Sequence, residues 1–185
     1  MNSDVDTSAQ LSSPIPPDDP KRNLVLAQAD EQSASHIGLV GDTYTILITG
    51  KDTNGHFCLI DMHIPPGGGP PPHRHDFEES FIVLEGEIEA TFRGQRSSVR
   101  AGATIHIPAN APHQFQNTSH HPARLLCICS PAGQEEFFAT VGVAVATRTT
   151  APPTLDPAAQ AAFKTKVEAL ATTYRTEMLQ HAEVK

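Results

Sequence analysis

Apolar and polar positions alternate in short runs through the middle of the chain. TYTILIT (43–49) and HFCLIDMHI (56–64) flank the polar turn KDTNG, which predicts a hairpin. After a Pro/Gly stretch come SFIVLEG and EIEATF, the turn RGQ, SSVR, the turn AG, then ATIHIP, PHQFQN and ARLLCICS. Strand-like runs this closely spaced, with no helical period between them, predict an antiparallel sandwich or barrel. The expected fold class is all-β.

Toward the C-terminus the period lengthens. SPAGQEEFFATVG predicts a short helix at about 131–141 that starts at Ser130 and Pro131, stops at Gly142 and carries Phe137, Phe138 and Val141. TTAPPTL reads as a linker. Asp156 then offers an N-cap and Pro157 a first helical position, and Phe163, Val167, Leu170, Tyr174 and Met178 recur at spacings of four, three, four and four. This stripe predicts an amphipathic helix reaching Met178, buried against the barrel wall or against another subunit. Residues 1–22 are polar and rich in Ser, Asp and Pro, too poor in apolar groups to offset the entropy of ordering, and are expected to form an extended arm. The organisation expected is therefore an arm at 1–22, a β-domain with its short helix at 23–145, and a linker and helix at 146–185.

Composition narrows the picture. With 185 residues and 38% hydrophobic content, one domain with extra arms is the default. The formal charge of -8, with no basic face, argues against a nucleic-acid partner. Cys58, Cys127 and Cys129 have no metal-like spacing and read as buried thiols in a reducing compartment. The first twenty residues show neither a basic nor an apolar leader region, and no 18 apolar residues run together. A cytoplasmic protein with no membrane partner is the expectation.

Histidine and glutamate carry the candidate chemistry. His73 and His75, two apart on a strand, project from one face and can share an ion. On an unbroken strand Glu79 would lie about 13 Å beyond His75, too far for a common ion with ligand distances of about 2.0–2.2 Å. For Glu79 to join the pair, the chain must bend through Asp76, Phe77 and Glu78. Alternation from an inward Glu79 then turns Phe81 and Val83 inward as an apolar pocket lining, and leaves Asp76 and Glu78 solvated. In GATIHIPANAPH, Pro108 ends one strand, Asn110 suits a left-handed turn, and Pro112 sets up a strand with His113 and Phe115 on one face. His63 and His106 are more simply read as ordinary structural or exposed histidines.

These strings resemble the cupin superfamily. Gly67, five residues, His73-Arg74-His75, three residues, Glu79, six residues and Gly86 match its first motif. Gly102, five residues, Pro108, one residue, Asn110, two residues, His113, three residues and Asn117 match its second, with Asn110 where the family usually has Gly. Asn is the non-glycine residue that best tolerates positive φ, so the departure is mild. The resemblance covers roughly residues 40–130. It implies a double-stranded β-helix barrel, to which the C-terminal helices and the extended arm are additions, and one divalent transition metal (Fe, Mn, Ni or Co, with Zn as a further candidate) held inside its mouth by His73, His75, Glu79 and His113.

Within that superfamily the chain most resembles single-domain quercetin 2,3-dioxygenase-like members. The resemblance implies a dioxygenase that cleaves a flavonol-like or other enol or phenol substrate with O2. Glu79 would act as the base, and Phe81, Val83 and Phe115 would line the substrate pocket. Small cupins are commonly dimers, so a homodimer is expected. Two other readings stay open: an O2-independent metal-dependent isomerase, lyase or decarboxylase, and a non-catalytic metal-dependent small-molecule-binding protein.

The PPGGGPPP run before His73 combines φ fixed by proline with the freedom of glycine. It is expected to set the register of the histidine strand, where a one-residue slip would turn both imidazoles outward.

Overall fold

The computed structural model describes residues 15–180, so the first fourteen residues of the expected arm and the last five of the chain lie outside the described residues. Residues 15–22 are exposed throughout. Twelve strands and two α-helices follow. In chain order the strands are β1 (Ser35–Leu39), β2 (Asp42–Ile48), β3 (Cys58–Ile64), β4 (His73–His75), β5 (Glu78–Glu85) and β6 (Glu87–Phe92). Then come β7 (Gln95–Arg100), β8 (Thr104–Ile107), β9 (His113–Gln116), β10 (Ala123–Ser130), β11 (Val143–Ala144) and β12 (Thr176–Met178). The helices are α1 (Gln134–Val141) and α2 (Pro157–Ala171).

Two antiparallel sheets face each other. One orders its seven strands β11-β1-β2-β3-β10-β5-β8, and the other its five β12-β4-β9-β6-β7. The expected hairpin is present as β2 and β3. The inward residues of both sheets form the core, among them Ile60, Ile64, Val83, Ile88 and Leu125, all fully buried. At about 25 cal/mol per Å² of apolar surface, each such aliphatic side chain contributes about 1.5–3 kcal/mol.

Three elements differ from the sequence expectation. β1 was not anticipated: SHIGL lacks a clean alternation, and it becomes a strand by pairing β2 on one side and β11 on the other. α1 begins at Gln134 rather than at Ser130, because Ser130 is still the last residue of β10 and its hydroxyl donates to the His56 carbonyl.

The third difference bears on the site. Asp156 caps α2 by accepting from the Ala159 amide at 2.8 Å, with Pro157 in the first turn, as expected. The helix, however, ends at Ala171 and does not reach Met178. A 3-10 turn over Thr172–Tyr174 follows, Arg175 adopts φ 60°, and Thr176–Met178 forms β12 along β4. Two physical reasons favour this exit. The β-branched Thr172, Thr173 and Thr176 are weak helix formers. The edge of the three-residue β4 also offers unpaired backbone groups, and Arg175 adds a 2.7 Å ion pair to Asp76. Phe163, Val167, Leu170 and Tyr174 pack half-buried against the chain's own core, as the barrel-wall alternative expects.

Candidate metal centre

β4 presents His73 and His75 inward, and the chain then bends at Asp76 and Phe77 before β5 begins. The bend is held from inside. Phe77 is buried, its ring stacks on the His75 imidazole at 3.8 Å with an interplanar angle of 3°, and its carbonyl accepts from His75 Nδ1 at 2.9 Å. Asp76 and Glu78 point outward, where they pair with Arg175 and with His106 respectively. β9 brings His113 directly opposite His73. Asn110 supplies the turn before it in the left-handed conformation, φ 68°, that the sequence anticipated.

The glycines of the preceding loop are required by close approach. A Cβ on Gly69 would lie 2.2 Å from the Phe115 carbonyl oxygen, and one on Gly68 would lie 2.2 Å from Asp42 Oδ1. Gly67 donates to the Asn117 carbonyl at 2.7 Å, and Asn117 donates back to Gly68 at 2.9 Å. The loop is thus bonded to the end of β9, which agrees with its expected role in setting register.

His73, His75, Glu79 and His113 are all buried, and their ligand atoms lie within 4.8 Å of one another. Each imidazole has its Nδ1 against a backbone carbonyl: Pro71 at 2.8 Å for His73, Phe77 at 2.9 Å for His75, Ala111 at 2.9 Å for His113. A carbonyl only accepts, so each Nδ1 carries a proton and each Nε2 is the nitrogen turned toward the shared centre. Two of those Nε2 atoms sit 3.0 and 3.1 Å from Glu79 Oε2. Imidazole nitrogens and a carboxylate oxygen converging this closely need positive charge between them, supplied by Nε2 protons or, in their place, by a metal ion. The donor set therefore fits a divalent transition metal, with imidazole and carboxylate suiting the borderline ions.

The same geometry appears in the titration. Burial opposes ionisation of Glu79, but bonds from His113 and His75 outweigh it and hold the carboxyl well below its usual range. His73 is pushed down to about 3 by burial and by nearby His113. His113 moves up because Glu79 overcomes its burial.

A second group approaches Glu79 from behind. Cys129 pairs with Glu79 and Cys127 with Phe81 across β10 and β5, so both thiols share the inward face. Cys127 Sγ lies 3.2 Å and Cys129 Sγ 3.7 Å from Glu79 Oε1. The Cys129 contact pulls the Cys127 thiol down, yet burial and the Glu79 charge outweigh it and push it up to about 12. Protonated thiols therefore hold Oε1, and Oε2 faces the imidazoles. The sequence showed these cysteines as buried thiols only; their meeting with Glu79 depends on a strand pairing that spans fifty residues.

Beside the histidines lies a cavity of about 100 Å³ lined by His73, Glu79, Phe81, Phe115, Asp42, Tyr44 and Gln134 and flanked by side chains of α1, α2 and β12. Phe81 and Phe115 meet edge to face at 5.2 Å. Val83, the third expected lining residue, is buried in the core and does not reach the cavity. Four residues carry it about 13 Å along β5 from Glu79, past the extent of the cavity. Asp42, Tyr44 and Gln134 were not anticipated. An acid heading an apolar strand, two residues before Tyr44 and so on its face, was the available signal for the first.

Residues 60–129 match the Cupin domain family. This segment is a cupin domain. Its two facing antiparallel sheets are the double-stranded β-helix of that fold. This cupin is 31% identical over 106 residues to quercetin 2,3-dioxygenase of Bacillus subtilis, covering 56% of this chain and 31% of that protein. It is 40% identical over 74 residues to auxin-binding protein 1 of Arabidopsis thaliana, covering 35% of this chain and 37% of that one. The matches thus span about a third of each of these relatives. The crystal structure of a predicted oxalate decarboxylase from Thermotoga maritima superposes with a TM-score of 0.51 at 18% identity, covering 57% of this chain and 98% of that one, a likeness of fold. Among the described residues of this cupin, no helix is long and apolar enough to cross a membrane.

Proposed function

We propose that this cupin is a metal-dependent dioxygenase that cleaves an enol or phenol substrate with O2, with His73, His75, Glu79 and His113 holding one divalent ion of Fe, Mn, Ni or Co. The observation that carries the reading is the convergence of three Nε2 atoms, each on a ring whose Nδ1 is held by a backbone carbonyl, and a buried carboxylate at the edge of an apolar cavity. When bound, the ion would supply Lewis acidity, lowering the pKa of a hydroxyl presented to it. Glu79, ionised at neutral pH, accepts the hydroxyl proton on Oε2 while Cys127 and Cys129 hold Oε1. Phe81, Phe115, Phe137 and Phe138 exclude water from the electron-rich enolate that remains. Similarity to quercetin 2,3-dioxygenase supports this class of chemistry, and similarity to auxin-binding protein 1 favours, as second reading, ligand binding without turnover.

Oxygen uptake on flavonols and simpler enediols, with protein loaded separately with each of the four metals, tests the proposal. Uptake on at least one loading is expected; none on any loading overturns it. Turnover under strict anaerobiosis would instead place the protein with the O2-independent metal enzymes. Glu79→Gln should retain much of the metal, because the amide still ligates weakly, and lose most of the activity, because it cannot take the proton.

A further inference from the structure

Among the described residues, three buried side-chain oxygens have no hydrogen-bond partner: Asp42 Oδ1, Asp61 Oδ1 and Gln134 Oε1. Asp61 lies on β3 away from the cavity, and its Oδ1 has the Arg148 guanidinium 4.0 Å away. The other two belong to residues that line the one cavity shared with His73 and Glu79. Asp42 is 2% exposed and Gln134 5%, so bulk water does not solvate either side chain. A buried acceptor left unpaired is destabilising, and two of them on residues that line one cavity are an arrangement that a ligand's donors would relieve.

The local build keeps Asp42 ready. Its Oδ2 accepts from the Gly69 amide and from the Tyr44 hydroxyl, both at 3.1 Å, which fixes the carboxylate plane. Oδ1 lies against Gly68, where any side chain would collide with it. Gln134 opens α1, just after Gly133. The remaining wall is apolar: Met62, Phe81, Phe115, Phe137, Phe138 and Val141. An apolar wall with two unpaired acceptors selects a flat apolar body carrying hydrogen-bond donors.

Size narrows the class. The cavity's 100 Å³ is on the scale of the roughly 150 Å³ void that accepts a benzene ring. A wider groove of about 940 Å³ between α2 and the barrel shares Val40, Pro71, Phe163 and Val167 with it, so a longer ligand can place one ring deep and the rest under α2.

Building on the enol or phenol reading of this same site, we propose that Asp42 and Gln134 are its specificity-determining pair. They accept hydrogen bonds from further hydroxyl groups on the ring that presents its reacting hydroxyl to Glu79. The substrate class is then a polyhydroxylated aromatic rather than a simple enol.

Calorimetric titration of zinc-loaded protein under argon with catechol, resorcinol and hydroquinone, and with their monomethyl ethers, tests this at about pH 8.5, where Asp42 is ionised. At least one diol should bind about tenfold more tightly than its ether, the worth of one buried hydrogen bond to a charged acceptor. In Asp42→Asn the amide oxygen must stay with Gly69 N–H, so the NH2 takes the Oδ1 position and an acceptor becomes a donor. The preference for the diol should then fall below about threefold or reverse toward the ether. Gln134→Leu should weaken the preference without reversing it. Thermal melts of both variants check that the fold persists.

Equal affinity for diol and ether, or binding of neither, overturns the proposal, since a cavity that serves only water makes no such distinction. So does a preference that survives Asp42→Asn. The outcome is separable from the dioxygenase reading. Discrimination without oxygen uptake keeps this inference and removes the other, whereas oxygen uptake without discrimination does the reverse.

Discussion

β10 has a buried carboxylate on each of its two neighbouring strands, and the two are neutralised in opposite ways. On β3, Asp61 is bound by Arg124 at 2.7–2.8 Å. On β5, Glu79 faces two imidazoles and two thiols. A guanidinium keeps its charge at all working pH and cannot be exchanged for an ion, so the Asp61 pair is a fixed strut. Imidazoles can give up protons or accept a metal, so the Glu79 cluster can change state while the sheet around it does not. Asp42 is the third case, a buried acid met only by neutral donors, and burial pushes its carboxyl up to about 7 against the bonds from Tyr44 and Gly69. What faces a buried acid, more than burial itself, decides whether it braces the fold or serves a site.

The contrast can be broken most forcefully at Arg124. Arg124→Met should cost about 3 kcal/mol, at the low end for stranding a buried charge because Arg148 remains 4.0 Å from Asp61. Urea unfolding should show this as a lower midpoint, with metal stoichiometry unchanged. If metal is lost as well, the two acids are not independent.

His75→Ala should leave the metal-free protein folding cooperatively and lower metal affinity more than about a hundredfold, since losing a ligand exceeds the cost of losing a ligand's hydrogen-bond partner. Elemental analysis after dialysis reads it. Retention of one ion per chain would mean the ion is held elsewhere.

The third prediction separates Asp42 from the other two acids by pH. Its folded value, about 7, lies above the ordinary 3.8, so the folded state holds the proton more tightly. The stability it contributes is complete below about pH 4 and is lost as pH rises to 7. Asp42→Asn has no such loss. Its unfolding free energy from urea titration, relative to the natural protein, should therefore climb between pH 4 and 7 and level off above, with a slope of at most about 1.4 kcal/mol per pH unit. A flat difference would mean the Asp42 carboxyl titrates as an exposed one does.

Smallest is the thiol effect. Cys127→Ala removes one weak donor from Glu79 Oε1 and should cost about 1 kcal/mol of stability and about tenfold in metal affinity, with Cys129 retained as a partial substitute. Cys127→Ser, which keeps a donor, should recover most of the affinity.

The candidate site was more legible than the architecture around it. The distance a strand covers per residue was enough to place a bend between His75 and Glu79, and the structure bends at Asp76 and Phe77. Proline and asparagine positions likewise placed the turn that delivers His113. These are local constraints, set by backbone geometry within a few residues. Val83 was misplaced on the cavity because alternation says which face a side chain takes and nothing of how deep along the strand the cavity reaches.

By itself, then, the sequence determined the strand periodicity, the capped start of α2, the four candidate ligands and the bend between them, all through short-range geometry. Tertiary structure alone decided the rest. The open edge of β4 drew Thr176–Met178 out of the predicted helix. Pairing of β10 with β5 set two thiols on Glu79. Packing of α1 over the barrel mouth brought Gln134 to the cavity that Asp42 lines from β2. Each of these joins residues far apart in the chain, and the free energy that selects it, from edge hydrogen bonds and buried apolar surface, exists only once both partners are in place.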